Sequence, residues 1–176
     1  MMVRKKVLFV LKATPLIAFL ILVSFFLNRT AYSEPSKLRP VDIKRCHDGD
    51  TCTTTSGDRI RFACIDAPEL KQTYGIASRD YLRSLLKDRR VAIVPTDTDR
   101  FGRTVAELYI RDGNDWKLVQ REQIKSGWAW ANSRYKDTCP SWRSIESDFE
   151  KTRRERKGIF GASNPLPPWE WRKRNR

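Results

Sequence analysis

Histidine is almost missing from this chain. His47 stands alone among 176 residues, which excludes any mechanism that needs two imidazoles. Cysteine is sparse as well. The four, Cys46, Cys52, Cys64 and Cys139, show no pair at the close spacing of a zinc knuckle, and this argues against a structural zinc. Acidic residues are outnumbered, 21 against 35 Lys and Arg, for a net charge of +14. That deficit favours polyanionic partners, nucleic acid first and an anionic membrane or wall polymer second; a merely solvated basic surface is the alternative. Internal repeats and low-complexity tracts are absent from the domain.

The long apolar stretch lies at the start. Met1 to Lys6 is basic, Val7 to Leu27 is almost wholly apolar, and Ala31-Tyr32-Ser33 offers small residues for an export peptidase. This is the layout of a secretory signal. An uncleaved membrane anchor is the rival, although the clean run from Ala13 to Leu27 falls short of the ~20 residues of a span. Residues 34–40, with two prolines, read as a linker. Removing 1–33 takes away Arg4, Lys5, Lys6, Lys12 and Arg29 and no acid, so the net charge falls from +14 to +9. The remaining 143 residues are enough to bury about two-thirds of their unfolded surface in an ordinary core. In an exported chain the four cysteines suggest up to two disulfides, with three pairings open. Free buried thiols are the other reading.

Val41 to Cys46 reads as a first strand, with His47 near a strand start. Thr51–Thr55 and Arg59–Ile65 are β-rich runs joined by a hairpin at Ser56-Gly57-Asp58. Alternation places Ile60, Phe62 and Cys64 on one face and Arg61 on the other, toward a cleft. Pro68 stops the strand. Ala77, Tyr81, Leu82, Leu85 and Leu86 mark a helix by their spacing. Val91–Val94 and Thr104–Ile110 are further strands, the second closed by Asp112-Gly113. Leu118, Val119 and Ile124 predict a short helix ended by Gly127. A last helix opens near Pro140, carries Trp142, Ile145 and Phe149 as its apolar stripe, and takes Gly158 as its cap. The tail, 164–176, reads as extended and basic. Interleaved strands, hairpins and helices predict an α+β domain, a small closed barrel with helices packed outside.

The residues that carry chemistry come in order: Asp48-Gly49-Asp50-Thr51, Arg61, Asp66-Ala67-Pro68-Glu69, then Asp99-Arg100-Phe101-Gly102-Arg103. Asp50 and Asp66, at the ends of neighbouring strands, are suited to a hard cation that takes carboxylates, carbonyls and water. Asp48 is placed to orient a bound water; as a plain turn, Asp48-Gly49-Asp50 would need none of this. Arg61 and Arg103 stay charged and offer paired hydrogen bonds to phosphate oxygens; surface ion pairing is their alternative. Glu69 is placed to accept a proton from an attacking water, or simply to begin the next helix.

Taken together these four motifs closely resemble the staphylococcal nuclease, or thermonuclease, family. The resemblance runs from about Val41 to Phe160 and includes Lys157-Gly158-Ile159-Phe160. It implies a five-stranded OB-fold β-barrel with three α-helices over 41–163. It also implies calcium-dependent hydrolysis of DNA and RNA at the 5′ side of phosphorus, leaving 3′-phosphate ends. Carried over by position, Asp50, Asp66 and the carbonyl of Ala67 would hold Ca2+, and Arg61, Glu69 and Arg103 would be catalytic. Ala67 stands where the family has threonine, but only its carbonyl is needed. Phe101 replaces a tyrosine that helps hold a terminal phosphate, with Arg100 beside it to compensate. Ser133 replaces a base-stacking tyrosine, while Tyr135 keeps the second aromatic, so nucleotide binding would rely more on Trp130 and nearby arginines. The expected protein is an exported monomer with nucleic acid as substrate and no protein partner implied. A nucleic-acid-binding module of the same fold, without effective catalysis, is the alternative.

Overall fold

The computed structural model describes residues 37–175. The signal or anchor at 1–33 and the first part of the linker lie outside the described residues. In chain order come β1 (Arg39–Val41), β2 (Ile43–Cys46), β3 (Thr51–Thr54), β4 (Arg59–Phe62), β5 (Ile65–Asp66), α1 (Gly75–Leu86), β6 (Val91–Thr98), β7 (Thr104–Asp112), β8 (Asp115–Leu118), α2 (Val119–Lys125), β9 (Trp130–Ala131), α3 (Trp142–Arg154) and α4 (Pro168–Arg174). None of these helices is long and apolar enough to cross a membrane.

The main sheet runs β1-β6-β7-β4-β3-β2, with β8 added to β7. Its first and last strands, β1 and β2, are separated in the chain by Asp42 alone. The sheet therefore curls until its two edges meet at that residue. This is the α+β barrel architecture expected, with β1 and β2 together acting as one strand of five. The predicted run 41–46 breaks because β1 pairs with β6 while β2 pairs with β3. Alternation holds on β4: Ile60 and Phe62 are buried and Arg59 is exposed. Leu82 of α1, Ile93, Leu108, Ile124 of α2 and Ile145 of α3 close the same core. Buried Gln120 ties α2 to β7, donating to the Ala106 carbonyl and accepting from the Leu108 N–H, so neither amide group is left unpaired.

Several boundaries depart from expectation for local reasons. Strand β6 continues past Val94 through Pro95 to Thr98, and the register shifts between Pro95 and Asp97, where the proline has no N–H to donate. The run Arg59–Ile65 is interrupted at Cys64, which sits at φ 73 and redirects the chain from β4 to β5. Leu118 both ends β8 and stands as the N-cap of α2. Helix α3 is closed not by Gly158 but by Arg156 at φ 53, with the Lys157 N–H donating to the Thr152 carbonyl. Gly158 instead packs its backbone against Gly127, where a Cβ would collide. The tail is not extended: Pro168 starts α4, with Glu170 in its first turn and Arg172, Lys173 and Arg174 in its last.

All four cysteines are paired, Cys46 with Cys52 and Cys64 with Cys139. Such bonds fit an oxidising compartment. The two bonds span 6 and 75 residues of sequence. The entropy of closing these loops gives about 2 kcal/mol for the short one and about 4 kcal/mol for the long one. Replacing Cys64 and Cys139 by serine should therefore cost more stability than replacing Cys46 and Cys52. Urea unfolding of the two double variants measures this, and an equal or reversed order would contradict the loop-closure account.

Candidate active site

The loop between β2 and β3 carries Asp48 and Asp50 and is clasped by the Cys46–Cys52 bond. Its shape is set locally. The Asp50 N–H donates to Asp48 Oδ1 at 3.0 Å, and the His47 N–H donates to the Thr51 carbonyl at 2.8 Å. Gly49 is pressed onto α1, so that a Cβ there would collide with the Ser78 hydroxyl and come within 2.7 Å of the Ala67 Cβ. From α2, Gln123 Nε2 donates to the Gly49 carbonyl at 2.6 Å. The loop is thus bolted to two helices, and Asp50 is driven inward to 5 % exposure.

Asp66 arrives from β5, paired through β9, and is 2 % exposed. One Asp50 oxygen, Oδ2, accepts the Ala67 N–H at 2.6 Å, and the other accepts the Thr51 hydroxyl at 3.1 Å. Arg61 lies opposite Thr51 in the β3–β4 register and bridges both acids. Its Nη1 is 3.3 Å from Asp50 Oδ2 and its Nη2 is 3.2 Å from Asp66 Oδ1. Loss of hydration pushes the Asp50 carboxyl well above the usual carboxylate range; Asp48 and Asp66 push the same way, while Arg61 and the Ala67 N–H oppose them. The Asp50 carboxylate is therefore held out of solvent at a cost that Arg61 opposes without removing.

Arg103 is positioned by the β6–β7 turn. Asp99 accepts the backbone N–H groups of Phe101 and Arg103 and, at 2.6 Å, the Arg103 Nε. Against the desolvation it suffers, these bonds hold the Asp99 carboxyl below its ordinary value. Arg103 Nε is used by this bond, while Arg103 itself faces the site. Phe101 is 67 % exposed at the tip of the turn, with the guanidinium carbons of Arg100 and Arg103 at 4.8 and 5.5 Å from its ring centre.

A single cavity of about 330 Å³ is lined by Asp48, Asp50, Thr51, Arg61, Asp66, Ala67, Glu69, Arg100, Phe101, Arg103, Tyr135 and Arg172. Asp50, Asp66 and Ala67, expected to hold the metal, Arg61, Glu69 and Arg103, expected to be catalytic, and Arg100, Phe101 and Tyr135, expected to contact the substrate, are all in that lining. Trp130 is not. It is 8 % exposed, edge-on to Phe160 and Trp169 and packed near Phe149, and so is closed to base stacking. His47 also lies outside the lining, with its Nε2 2.7 Å from the Thr53 hydroxyl. Burial and then Arg45 lower its pKa.

Arg172 was missed in the sequence. It reaches in from α4, with Nη1 at 2.8 Å from Glu69 Oε1 and 3.2 Å from Asp66 Oδ1, and Nη2 at 2.7 Å from Asp66 Oδ2. The available signal was Pro168 followed by an acid and then bases, a helix pattern in a segment read as extended. Elsewhere, Cys64, Glu107 and Cys139 also come close together. Their sulfurs are bonded to each other and Glu107 accepts from Tyr109 and Ser141, so the cluster offers no thiolate to a metal.

Oxygen donors on two buried aspartates, beside guanidinium groups in an open cavity, suit a hard divalent cation and a phosphate. The chain is similar to proteins named as nucleases. The family model described as staphylococcal nuclease homologue matches residues 59–161. An uncharacterized endonuclease of Escherichia coli O157:H7 is 33% identical over 135 residues, covering 75% of this chain and 84% of that protein. One from Haemophilus influenzae is 30% identical over 138 residues, covering 76% and 73%. A probable staphylococcal-like nuclease of Oryza sativa subsp. japonica is 36% identical over 118 residues, covering 67% of this chain but 29% of that longer protein. The chain belongs to the staphylococcal nuclease family.

Proposed function

We propose that this protein is a calcium-dependent, sugar-nonspecific nuclease that hydrolyses phosphodiester bonds of DNA and RNA at the 5′ side of phosphorus and leaves 3′-phosphate ends. The nuclease class rests on family membership. The finer reading is supported chiefly by Arg61, Glu69 and Arg103 sharing one cavity with the buried pair Asp50 and Asp66.

In this reading Asp50, Asp66 and the carbonyl of Ala67 hold the cation, and Asp48 orients a water beside it. The donor set fits calcium, because every candidate ligand atom is oxygen and burial disfavours the uncompensated charge of Asp50. When bound, the cation supplies positive charge against a phosphate oxygen and a place for water. Glu69 accepts the proton of the attacking water. Arg61 and Arg103 grip non-bridging phosphate oxygens and stabilise the charge that builds on them as phosphorus becomes five-coordinate. Arg100, Phe101 and Tyr135 flank the cavity and contact the nucleotide. The substrate's negative charge is drawn by the net charge of +9 that residues 34–176 carry. Residues 1–33 direct export, or tether the protein facing outward, and 41–163 form the nuclease domain.

Arg61→Ala and Arg103→Ala should each lower turnover about 100-fold or more while the fold survives. Plasmid cleavage in calcium and in chelator, with circular dichroism on each variant, measures this; cleavage at the unaltered rate in either would remove that arginine's assigned role. Product ends that ligate only after the 3′-phosphate is removed and the 5′-hydroxyl is phosphorylated would bear out the 3′-phosphate; ends that ligate untreated would contradict it. Asp50→Asn removes a carboxylate that burial disfavours. It should raise the melting temperature of the protein in chelator while abolishing the stabilisation that calcium gives the parent. A lower melting temperature for the variant in chelator would contradict the charge imbalance at Asp50.

A further inference from the structure

Asp66 accepts from four donors. Oδ1 takes Arg61 Nη2 and Arg172 Nη1, both at 3.2 Å; Oδ2 takes Arg172 Nη2 at 2.7 Å and Asn132 Nδ2 at 3.4 Å. A carboxylate has about four lone-pair sites, so this one is full. Glu69 Oε1 is also taken by Arg172, at 2.8 Å. A cation binding Asp66 must therefore displace a donor.

Arg172 is the donor that can leave. Arg61 is fixed on a central strand and also donates to the Phe62 carbonyl at 2.7 Å. Asn132 is 6 % exposed. The Arg172 side chain is 39 % exposed, at the end of a long flexible stem. Its helix need not move with it. Trp169 packs on Trp130 with ring centres 5.8 Å apart, Pro168 is buried, and the Leu166 carbonyl accepts from Gln72 Nε2 at 2.6 Å. That same glutamine accepts the Glu69 N–H at 3.2 Å, so the tail is fastened to the loop that carries Glu69. The helix holds the guanidinium at high local concentration beside the acids, whether or not it is bound to them.

Building on the proposed cation seat, we propose that Arg172 is a tethered counter-ion of that seat: it holds Asp66 and Glu69 in the metal-free protein and is exchanged for the divalent cation on loading. Arg172 is thus a positioning residue that acts through Asp66 and Glu69. It keeps the empty site folded and weakens cation binding, so the tail sets the calcium concentration at which the site fills. Because binding is reciprocal, the cation must loosen Arg172 as much as Arg172 opposes the cation.

Isothermal titration with calcium chloride at fixed ionic strength tests this on the whole chain. Relative to the parent, Arg172→Gln should bind calcium about tenfold more tightly, the order expected on losing a charge-assisted bidentate competitor. It should also melt at a lower temperature in chelator. Arg172→Lys, which keeps the charge but not the fork, should fall between the two. Unchanged or weaker binding by Arg172→Gln, in a protein that the chelator melt shows to be folded, would overturn the exchange while leaving the seat intact. Should neither parent nor variant bind calcium, the seat itself is wrong and the inference falls with it.

Discussion

Asp50 and Asp66 lie beside each other almost out of reach of water, and two carboxylates so placed repel. Folding has to force them together, and positive charge has to hold them there. Arg61 contributes part of that charge from β4, bridging the pair. Arg172 contributes more from the tail. Burial still displaces the carboxyl of Asp50 toward its neutral form, with Arg61 opposing that displacement. A site left in this condition binds positive charge readily, because each added cation relieves a repulsion already present in the folded chain.

The remainder of the domain supplies the force. The Asp48–Asp50 loop cannot relax outward: a disulfide closes it, Gly49 lies flush on α1, and Gln123 pins it from α2. The second disulfide holds Cys64, two residues before Asp66, to Cys139 at the end of the segment that carries Tyr135. Curling of the sheet brings β3 and β4 under that frame, and the parallel pairing of β4 with β7 sets Arg61 beside Val105, close to Arg103 at the mouth. Rigidity here is functional, since groups that stabilise a transient charge work best when they need not rearrange to do so.

How much of this the residues announced depends on the range over which they act. Local rules sufficed for the barrel: the alternation at Ile60 and Phe62, the hairpin at Gly57 and the spacing of Leu82, Leu85 and Leu86 each specify their own segment. Motif order sufficed to gather Asp50, Arg61, Asp66, Glu69 and Arg103, because strands and turns of ordinary length carry them to one end of the sheet. What stayed hidden was set by distant partners. Trp130 is buried because Phe149, Phe160 and Trp169 converge on it, and nothing near Trp130 says so. The disulfide pairing follows from where β5 and the segment before α3 meet. Arg172 reaches Asp66 across 106 residues of sequence, from a tail whose prolines suggested an extended chain.

The central claim is spatial: one cation between Asp50 and Asp66, with Arg61 and Arg103 turned toward a phosphate beside it. Diffraction from a crystal grown with calcium and a nucleoside bisphosphate tests it most directly, using anomalous scattering to locate the ion. The account predicts one anomalous peak within bonding distance of both aspartates and the phosphate within hydrogen-bonding distance of both arginines. A peak elsewhere, or guanidinium groups directed to solvent with the phosphate bound away from them, would contradict it.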